Sequence, residues 1–528
     1  MNRLPYNTTR FNSRRSPIFG RRGMVASAHP LASLAGMRML LDGGTAADAA
    51  VAAAAVLGVV EPYQTGLGGD AFALLYGASD RRVRALNASG PAPAAATLDA
   101  YRARGFDSIP RHSPLAWTVP GCVDGWTQML ETAGRFTLAK VLEPAIGYAE
   151  DGFAIAPCDA RSWSLSEERL RADGEAARTL LIDGRAPRAG DVLVQPDLAR
   201  TLRLLAAGGR DAFYEGEIAE RFVAYAQSRG GLLAARDLAA YRAEWQEPIG
   251  VDYRGFRVLE CPPNGQGLAA LVALRILAEI DLPRHPRDSA RCLHLLIEAT
   301  KQGMVDATQH VADPRFAPVP VDALLMHSSR AIGELASAPE AAAWGRSDTV
   351  YLAATDAEGN AVSFINSVFD DFGSGHVAKG LGFAMQNRGA GFSLDPSHPN
   401  CLAPGKRPFH TIIPGMIMDG DALHAAFGVT GGLMQPQGHV QLVVNLLDYG
   451  LDVQSAVDEP RFWWEEGRRV VIEEGVPDAT CETLAQWGHE IVRREHRGMG
   501  GAQIIAALPD HVFVAGSEPR QDGCAIAW

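Results

Sequence analysis

The strand pattern is clearest over residues 348–356 (DTVYLAATD), 357–360 (AEGN) and 361–367 (AVSFINS). Two runs rich in β-branched and aromatic residues flank a short polar turn, and Gly359 stands where such a turn needs a positive φ. Because both features are typical of paired antiparallel strands, the stretch predicts a β-hairpin.

The hairpin also predicts which residues face each other. We expect Asp356 to pair with Asn360 around the loop. That antiparallel register places Thr349 opposite Ser367, with Cα atoms roughly 4.5–5.5 Å apart. A threonine hydroxyl would then meet a serine hydroxyl at the mouth of a sheet.

The chain before the hairpin has a different character. Residues 335–347 (LASAPEAAAWGRS) have the composition of an exposed loop. A cut between Asp348 and Thr349 would make Thr349 a new N-terminus, whose α-amino group (pKa ~7.7–8.0) can act as the base for its own hydroxyl. The same pattern also describes a surface loop that enters an ordinary strand, and spacing by itself favours that interpretation.

Length and charge exclude several function classes. With 528 residues the chain can bury a large core, and length alone suggests two or more domains. The 49 Lys and Arg against 61 Asp and Glu give a net charge of −12, and no basic stripe is present, so we expect no nucleic-acid partner. The basic N-terminal arm has no apolar core behind it, and the most apolar run, 46–60, is too short to span a membrane. We therefore expect a soluble protein without a secretory signal or a membrane partner.

The cysteines indicate a reducing compartment. Their number is odd, they are scattered singly, and none forms a CxxC motif, so a disulfide framework is not predicted. We expect reduced thiols in a cytoplasmic protein. The seven are Cys122, Cys158, Cys261, Cys292, Cys401, Cys481 and Cys524.

Helices and strands alternate through the rest of the chain. Thr45 and Asp48 predict a capping box at the start of a helix that ends at Val60. A long, largely helical part runs from residue 97 to about 343. A further helix is predicted over 439–447.

No motif predicts a metal ion or a cofactor. The glycine cluster at 66–69 lacks the Lys-Ser/Thr of a phosphate-binding loop, so a tight turn is the better interpretation. Four residues with metal-ligand chemistry match no standard ligand spacing, and polar helix surfaces explain them better. They are His294, Asp306, His310 and Asp313.

Three segments after the hairpin complete a pattern with it. They are Phe372–Gly375 (FGSG), Pro404–Pro408 (PGKRP) and Thr430–Gly432 (TGG). In this order, together with Thr349 and its hairpin, they resemble the catalytic half of the γ-glutamyltranspeptidase family, whose members are N-terminal-nucleophile hydrolases. Two segments near the start of the chain resemble the family's opening, so the resemblance covers nearly the whole sequence.

The resemblance implies a fold and a maturation step. The fold would be α+β, a four-layer αββα sandwich. The chain would cut itself between Asp348 and Thr349 into a large fragment, 1–348, and a small fragment, 349–528. The two would stay folded together as a heterodimer, with a dimer of such heterodimers as a further option.

The resemblance also implies catalytic roles. Thr349 would attack an amide carbonyl, and Ser367 would hydrogen-bond the Thr349 hydroxyl from across the hairpin. The N–H groups of Gly431 and Gly432 would stabilise the oxyanion, since glycine allows the backbone to approach closely. A serine-triad hydrolase is not supported, because the sequence has no G-x-S-x-G elbow.

Three positions depart from the γ-glutamyl-specific pattern. The family's arginine for the substrate α-carboxylate falls on Ser89. The asparagine and aspartate for the substrate ammonium fall on Phe369 and Gly391. A pocket without these partners would leave a glutamyl ammonium poorly compensated, so an acid amide without an amino group fits better.

Arg388, His410 and Thr411 are the candidate substrate-binding residues. An arginine fork can bind a carboxylate through two hydrogen bonds, but an Asn-Arg-Gly turn at the surface would explain Arg388 as well. The family's paired, substrate-contacting serines fall on His410 and Thr411. His410 could orient the substrate, or it could be a packed and satisfied histidine.

Among members of the resembled family, an amidohydrolase that acts on oxamate in purine-nitrogen breakdown has this character, and we expect that activity here, with Arg388 on the oxalyl carboxylate. One alternative is a γ-glutamyl hydrolase or transpeptidase for glutathione-like compounds, and another is a cephalosporin-type acylase for dicarboxylic monoamides. A non-enzymatic alternative is an uncut homologue that binds a small anion. The intact set of Thr349, Ser367 and the Gly431-Gly432 pair argues against that last alternative.

Overall fold

The computed structural model describes residues 15–326, 347–495 and 498–528. The predicted N-terminal arm up to residue 14 and the predicted loop before Ser347 lie outside these ranges. All seven cysteines are within them, and none of the seven forms a disulfide bond. Among the described helices, none has the length and apolar character needed to cross a bilayer.

The strands of the described ranges are β1 (Ile18–Gly20), β2 (Met24–Ser27), β3 (Asp70–Gly77), β4 (Arg82–Ala88), β5 (Phe153–Ala154), β6 (Val192–Leu193), β7 (Glu244–Gln246), β8 (Ile249–Tyr253), β9 (Phe256–Glu260), β10 (Ser347–Thr355), β11 (Ala361–Asp370), β12 (Gly415–Asp419), β13 (Ala422–Val429), β14 (Phe462–Glu466), β15 (Arg469–Glu473), β16 (Glu490–Arg494), β17 (Ala502–Leu508), β18 (Val512–Ser517) and β19 (Cys524–Ala527). The α-helices are α1 (Pro30–Leu41), α2 (Ala46–Val60), α3 (Leu98–Arg102), α4 (Cys122–Ala133), α5 (Leu138–Asp151), α6 (Pro157–Arg171), α7 (Gly174–Leu180), α8 (Pro196–Tyr214), α9 (Glu217–Ser228), α10 (Ala235–Ala239), α11 (Gly267–Leu277), α12 (Ala290–His310), α13 (Val321–Met326), α14 (Met434–Leu447), α15 (Val453–Asp458) and α16 (Asp478–Gln486).

Two seven-stranded sheets form the centre of the molecule. Their strand orders are β1-β18-β17-β13-β12-β9-β8 and β19-β2-β10-β11-β3-β4-β7. Apolar side chains of both sheets, among them Tyr351 and Ile365 from one and Met416 and Ile505 from the other, share one buried cluster. The two sheets therefore pack face to face.

Helices cover both outer faces. One core cluster joins α1, α2 and α5 to the sheet that contains β10, and another joins α11, α12 and α14 to the sheet that contains β13. The predicted capping box forms between Thr45 and Asp48, and all of α2 is buried, because its alanines let the neighbouring layers approach closely. The layers are thus helix, sheet, sheet, helix, and the predicted α+β αββα sandwich is confirmed.

Both sheets contain strands from before and from after Asp348. β10 and β11 lie between β2 and β3 in one sheet, and β12 lies between β9 and β13 in the other. Neither the part before residue 348 nor the part after it has a sheet of its own at the centre.

The predicted hairpin is formed by β10 and β11. Its register runs as expected from Thr355 opposite Ala361 to Val350 opposite Asn366. The register then shifts by one residue, so the expected direct pairing of Thr349 with Ser367 is replaced by a β-bulge in which β11 has one residue more than β10.

The helix predicted from residue 439 begins five residues earlier, at Met434. Pro436 falls in its first turn, where a missing N–H leaves no helical hydrogen bond unmade, so the proline does not delay the helix. The earlier start places the first turn of α14 directly behind Gly431 and Gly432.

Candidate active site

Thr349 is fully buried on the bulge near the start of β10. The side-chain amide of Gln435, in the first turn of α14, donates a hydrogen bond to the Thr349 hydroxyl at 3.3 Å. The amide oxygen of Gln435 accepts from the N–H of Ile413 at 3.0 Å, which turns the NH₂ group toward Thr349. The backbone N–H of Gln435 donates to the carbonyl of Gly432 at 3.2 Å. A single residue thus connects Thr349 to the double-glycine turn.

The double-glycine turn offers backbone N–H groups as hydrogen-bond donors. Gly431 and Gly432 have φ of +106° and +60°, values that favour glycine. Their carbonyls accept bonds from the N–H groups of Met434 and Gln435. Within the described ranges, no acceptor is recorded for the N–H of either glycine. Such a pair of uncommitted N–H groups beside a hydroxyl nucleophile is suited to an oxyanion.

A cavity of about 270 Å³ opens onto this turn. Its buried end is lined by Thr411, Phe369 and the double glycine, and its open end by Arg161, Leu165, Trp463 and Arg494. The structure therefore brings together Thr349, Gly431, Gly432 and Thr411, four of the residues predicted from the sequence. Their roles in catalysis and binding stay predictions.

Arg388 lies behind the cavity wall and is fully buried. It donates hydrogen bonds to Thr411 Oγ1 at 2.7 Å and to Ser367 Oγ at 3.1 Å, and its guanidinium lies 4.3 Å from the ring centre of Phe369. Burial lowers the pKa of Arg388 to about 9, and Asp70 and Asp370 oppose that shift. A surface turn is thereby excluded as the explanation of Arg388, and its contact with a substrate carboxylate stays a prediction.

His410 is bonded to Asp70, which directly follows the glycine cluster at 66–69. His410 Nε2 donates to the Asp70 carboxylate at 3.0 Å, and the N–H of Ile412 points to His410 Nδ1 at 3.4 Å. Burial, with Arg388 and Arg407 nearby, holds the pKa of His410 well below its usual range. His410 is therefore neutral, and this geometry matches the packed and satisfied histidine that the sequence left open.

The Asp70 carboxylate accepts hydrogen bonds from several parts of the chain. One of its oxygens accepts from the N–H groups of Gly90 and Gly121 and from the amide of Gln386. Burial raises the pKa of Asp70 to about 7, against the lowering influence of Arg388 and these donors. The sequence offered one signal for this residue, an acid placed directly after a glycine cluster.

The three positions aligned with glutamyl-binding residues have other partners. The Ser89 hydroxyl is buried and donates to the side chain of Asn87 at 2.7 Å. The Phe369 ring covers Arg388. Gly391 ends a short 3₁₀ turn, and its carbonyl accepts from Asn400 at 2.7 Å. No charged side chain for a substrate ammonium stands at any of the three.

One histidine–carboxylate group converges within the described ranges, formed by His294, Glu298 and His489. Lys301 already donates to Glu298 at 2.8 Å, and the two imidazoles share a hydrogen bond at 2.9 Å. An ion pair and a hydrogen bond therefore account for this group. Of the residues considered for a metal from the sequence, Asp313 is instead bonded to Arg315.

The comparisons with known proteins agree with one another. Residues 32–528 match the family model described as gamma-glutamyltranspeptidase. The chain is 40% identical over 522 residues to the "Glutathione hydrolase-like YwrD proenzyme" of Bacillus subtilis, covering 96% of this chain and 99% of that protein. It is 35% identical over 524 residues to the "Oxamate amidohydrolase proenzyme" of Klebsiella pneumoniae, covering 96% and 98%.

A solved structure extends the similarity to three dimensions. The cephalosporin acylase from Bacillus halodurans superimposes with a TM-score of 0.93 at 40% identity, covering 99% of both chains. The chain belongs to the γ-glutamyltranspeptidase family and is an enzyme of the N-terminal-nucleophile hydrolase type.

Proposed function

We propose that the chain is a precursor that cuts itself between Asp348 and Thr349, and that the freed Thr349 then hydrolyses linear amides. The hydrogen bond from Gln435 to the Thr349 hydroxyl is the observation that carries this proposal, because it holds the hydroxyl beside two uncommitted N–H groups. The relatives named as proenzymes support it. The mixed strand order of both sheets would keep fragments 1–348 and 349–528 together as a heterodimer after cleavage.

Self-cleavage would proceed through an ester. The Thr349 hydroxyl attacks the carbonyl carbon of Asp348, the C–N bond breaks, and the hydroxyl proton goes to the Thr349 nitrogen. Water then hydrolyses the ester, which leaves a carboxylate on Asp348 and a free amino group and hydroxyl on Thr349.

Substrate turnover repeats this chemistry with an external amide. The Thr349 hydroxyl attacks the amide carbon while its amino group accepts the proton, and Gly431 and Gly432 N–H groups bind the oxyanion. The amino group passes the proton to the leaving nitrogen, and ammonia or an amine departs. Water then cleaves the acyl-threonine ester to a free acid.

For the acyl group we propose a small acid without an amino group, with oxamate as the first candidate and oxalate and ammonia as products. The buried guanidinium of Arg388 lies directly behind Thr411, at the closed end of the cavity, where Asp70 and Asp370 compensate part of its charge. Ser89, Phe369 and Gly391 offer no partner for a glutamyl ammonium. A role in purine-nitrogen breakdown and a cytoplasmic location follow as proposals; seven cysteines without a disulfide bond support the second.

The substrate preference has a direct test. Processed enzyme should release ammonia from oxamate with a kcat/KM at least about 10²-fold above that for a γ-glutamyl anilide, because an uncompensated buried ammonium costs several kcal/mol. Glutamine serves as the matched ammonia-releasing control. Rapid turnover of the anilide with a dipeptide acceptor would instead establish the γ-glutamyl alternative.

A dicarboxylic monoamide acylase is the second candidate, and the cavity favours it. The volume of about 270 Å³ is larger than a two-carbon amide needs and approaches the ~300 Å³ lower bound of sites for drug-sized ligands. At the open end, Arg161 is exposed and forms no ion pair with any described residue. Trp463 beside it offers an apolar surface.

Replacing Arg161 separates the two candidates. If a remote carboxylate binds at the open end, Arg161→Ala should raise KM for a glutaryl amide about 3–10-fold, as expected for a solvent-exposed ion pair. KM for oxamate should not change, because oxamate is too short to reach Arg161. Arg188→Ala removes an exposed arginine outside the cavity and is the control. An unchanged KM for the glutaryl amide would remove the support that Arg161 gives to the acylase alternative.

A further inference from the structure

The two terminal nitrogens of Arg388 each donate a hydrogen bond to a hydroxyl group. One donates to Thr411 Oγ1 at 2.7 Å and the other to Ser367 Oγ at 3.1 Å. Thr411 and Phe369 line the cavity, and Arg388 stands behind them without any exposed surface.

The nearby acids are bound by other groups. Asp370 receives two hydrogen bonds from Arg111, at 2.9 and 2.6 Å. Asp70 accepts from His410 and from backbone N–H groups. Both acids compensate the charge of Arg388 through space, which leaves its terminal N–H groups for the two hydroxyls.

These bonds decide how both hydroxyls are oriented. A hydroxyl accepts two hydrogen bonds and donates one. Ser367 Oγ accepts from Arg388 and also from the N–H of Phe369 at 2.8 Å, so both acceptor positions are filled and any further hydrogen bond of this hydroxyl is one that it donates. Thr411 accepts from Arg388, and no described residue accepts the Thr411 proton, which is available to the cavity.

We infer that Arg388 is a positioning residue that fixes Ser367 and Thr411 as hydrogen-bond donors toward Thr349 and the substrate, and that it does not grip the substrate carboxylate itself. The inference rests on the proposed function, both for its substrate and for the self-cleavage that Arg388 would support. A charged donor polarises each hydroxyl and strengthens the bond that the hydroxyl donates. Both self-cleavage and turnover would therefore depend on Arg388.

The test is the variant Arg388→Gln, assayed on the precursor and on two amides. The amides are oxamate and pyruvamide, in which an uncharged acetyl group replaces the carboxylate. We expect self-cleavage to slow about 10-fold or more. We expect kcat to fall by similar factors of about 10–100 for both amides, with KM changed less than about 3-fold. A loss confined to KM for oxamate, with normal self-cleavage, would instead identify a direct carboxylate clamp and overturn the inference.

A double-mutant cycle tests the route through Thr411. Thr411→Val should cost about 10-fold in kcat in the wild-type background and clearly less in the Arg388→Gln background, because the two residues act as one unit. Full additivity of the two losses would contradict the inference. Arg388→Lys, which can donate to the same hydroxyls but lacks the planar fork, should recover part of the rate. If Arg388→Gln does not fold, Arg388→Lys replaces it in the cycle with the same two outcomes.

Arg287→Gln is the matched control. Arg287 is also a buried arginine, bonded through Nε to Asn445 at 2.6 Å and remote from the cavity lining. The Arg287→Gln variant should have a lower melting temperature but an unchanged cleavage rate and kcat. If its cleavage rate and kcat fell as much as those of Arg388→Gln, the Arg388 effect would be only structural. If the wild type processes itself but leaves oxamate intact, the proposed substrate is wrong while the cleavage rates still decide the role of Arg388. A wild type that stays uncut would overturn both.

Discussion

Replacing Thr349 by alanine is expected to leave a single 528-residue polypeptide with no measurable amidase activity. The variant lacks the hydroxyl that attacks Asp348 during maturation and the substrate during turnover, so both steps fail together. Loss of a covalent nucleophile typically costs at least ~10⁴-fold in rate. A denaturing gel of the purified variant and an ammonia-release assay measure the two consequences.

Thr349→Ser is the matched control for this experiment. Serine keeps the hydroxyl and the α-amino group and removes only a methyl group, so the chain should still divide in two and keep activity, at a lower rate. If Thr349→Ala also gave two fragments, the cut would come from another residue or from a protease. The proposed mechanism would then be wrong.

Substituting Gly432 by alanine is expected to lower kcat about 10²–10³-fold, equivalent to 2.7–4 kcal/mol of transition-state stabilisation. A Cβ atom at φ = +60° strains the backbone by roughly 1–2 kcal/mol, and relief of that strain turns the N–H away from the oxyanion. Measuring kcat together with the rate of self-cleavage should reveal losses in both, since each passes through a tetrahedral oxyanion.

Gly420→Ala separates this effect from loss of stability. Gly420 also has φ of +60°, stands in the turn between β12 and β13, and has open space around the position of a Cβ atom. Both variants should lose similar amounts of thermal stability, but only Gly432→Ala should lose activity. Equal activities in the two variants would exclude the double glycine as the oxyanion-binding turn.

Local patterns in the sequence predicted much of the fold. The hairpin, its turn at Gly359 and the capping box of α2 are all formed as expected, because each depends on residues close together in the chain. The αββα layering was implied by family resemblance, since alternating short strands and helices are compatible with several architectures.

The site could be predicted only in part. The bulge at Thr349 arises where β11 pairs with both β10 and β3, and no short-range pattern in either strand specifies the extra residue. Asp70 and His410 are 340 positions apart and meet only in the folded molecule. The contacts that bury Arg388 likewise form only in the folded molecule. Such contacts depend on tertiary packing, which the residue types alone do not determine.

The substrate is the least predictable feature for a related reason. In the proposed mechanism, Thr349, Gln435 and the double glycine would supply chemistry that any linear amide could use, whereas selection would depend on side chains spread along the cavity. Relatives of similar identity are named for oxamate, glutathione and cephalosporin-type activities, so overall similarity does not choose among them. We propose that the choice depends on single residues such as Arg161.

The most direct test of the central claim is the mass spectrum of the purified wild-type protein under denaturing conditions, combined with the N-terminal sequence of its smaller component. We predict two polypeptides, residues 1–348 and 349–528, and a smaller component that begins Thr-Val-Tyr-Leu. A single species with the mass of the full chain, or a small fragment that begins at any residue other than Thr349, would contradict the account.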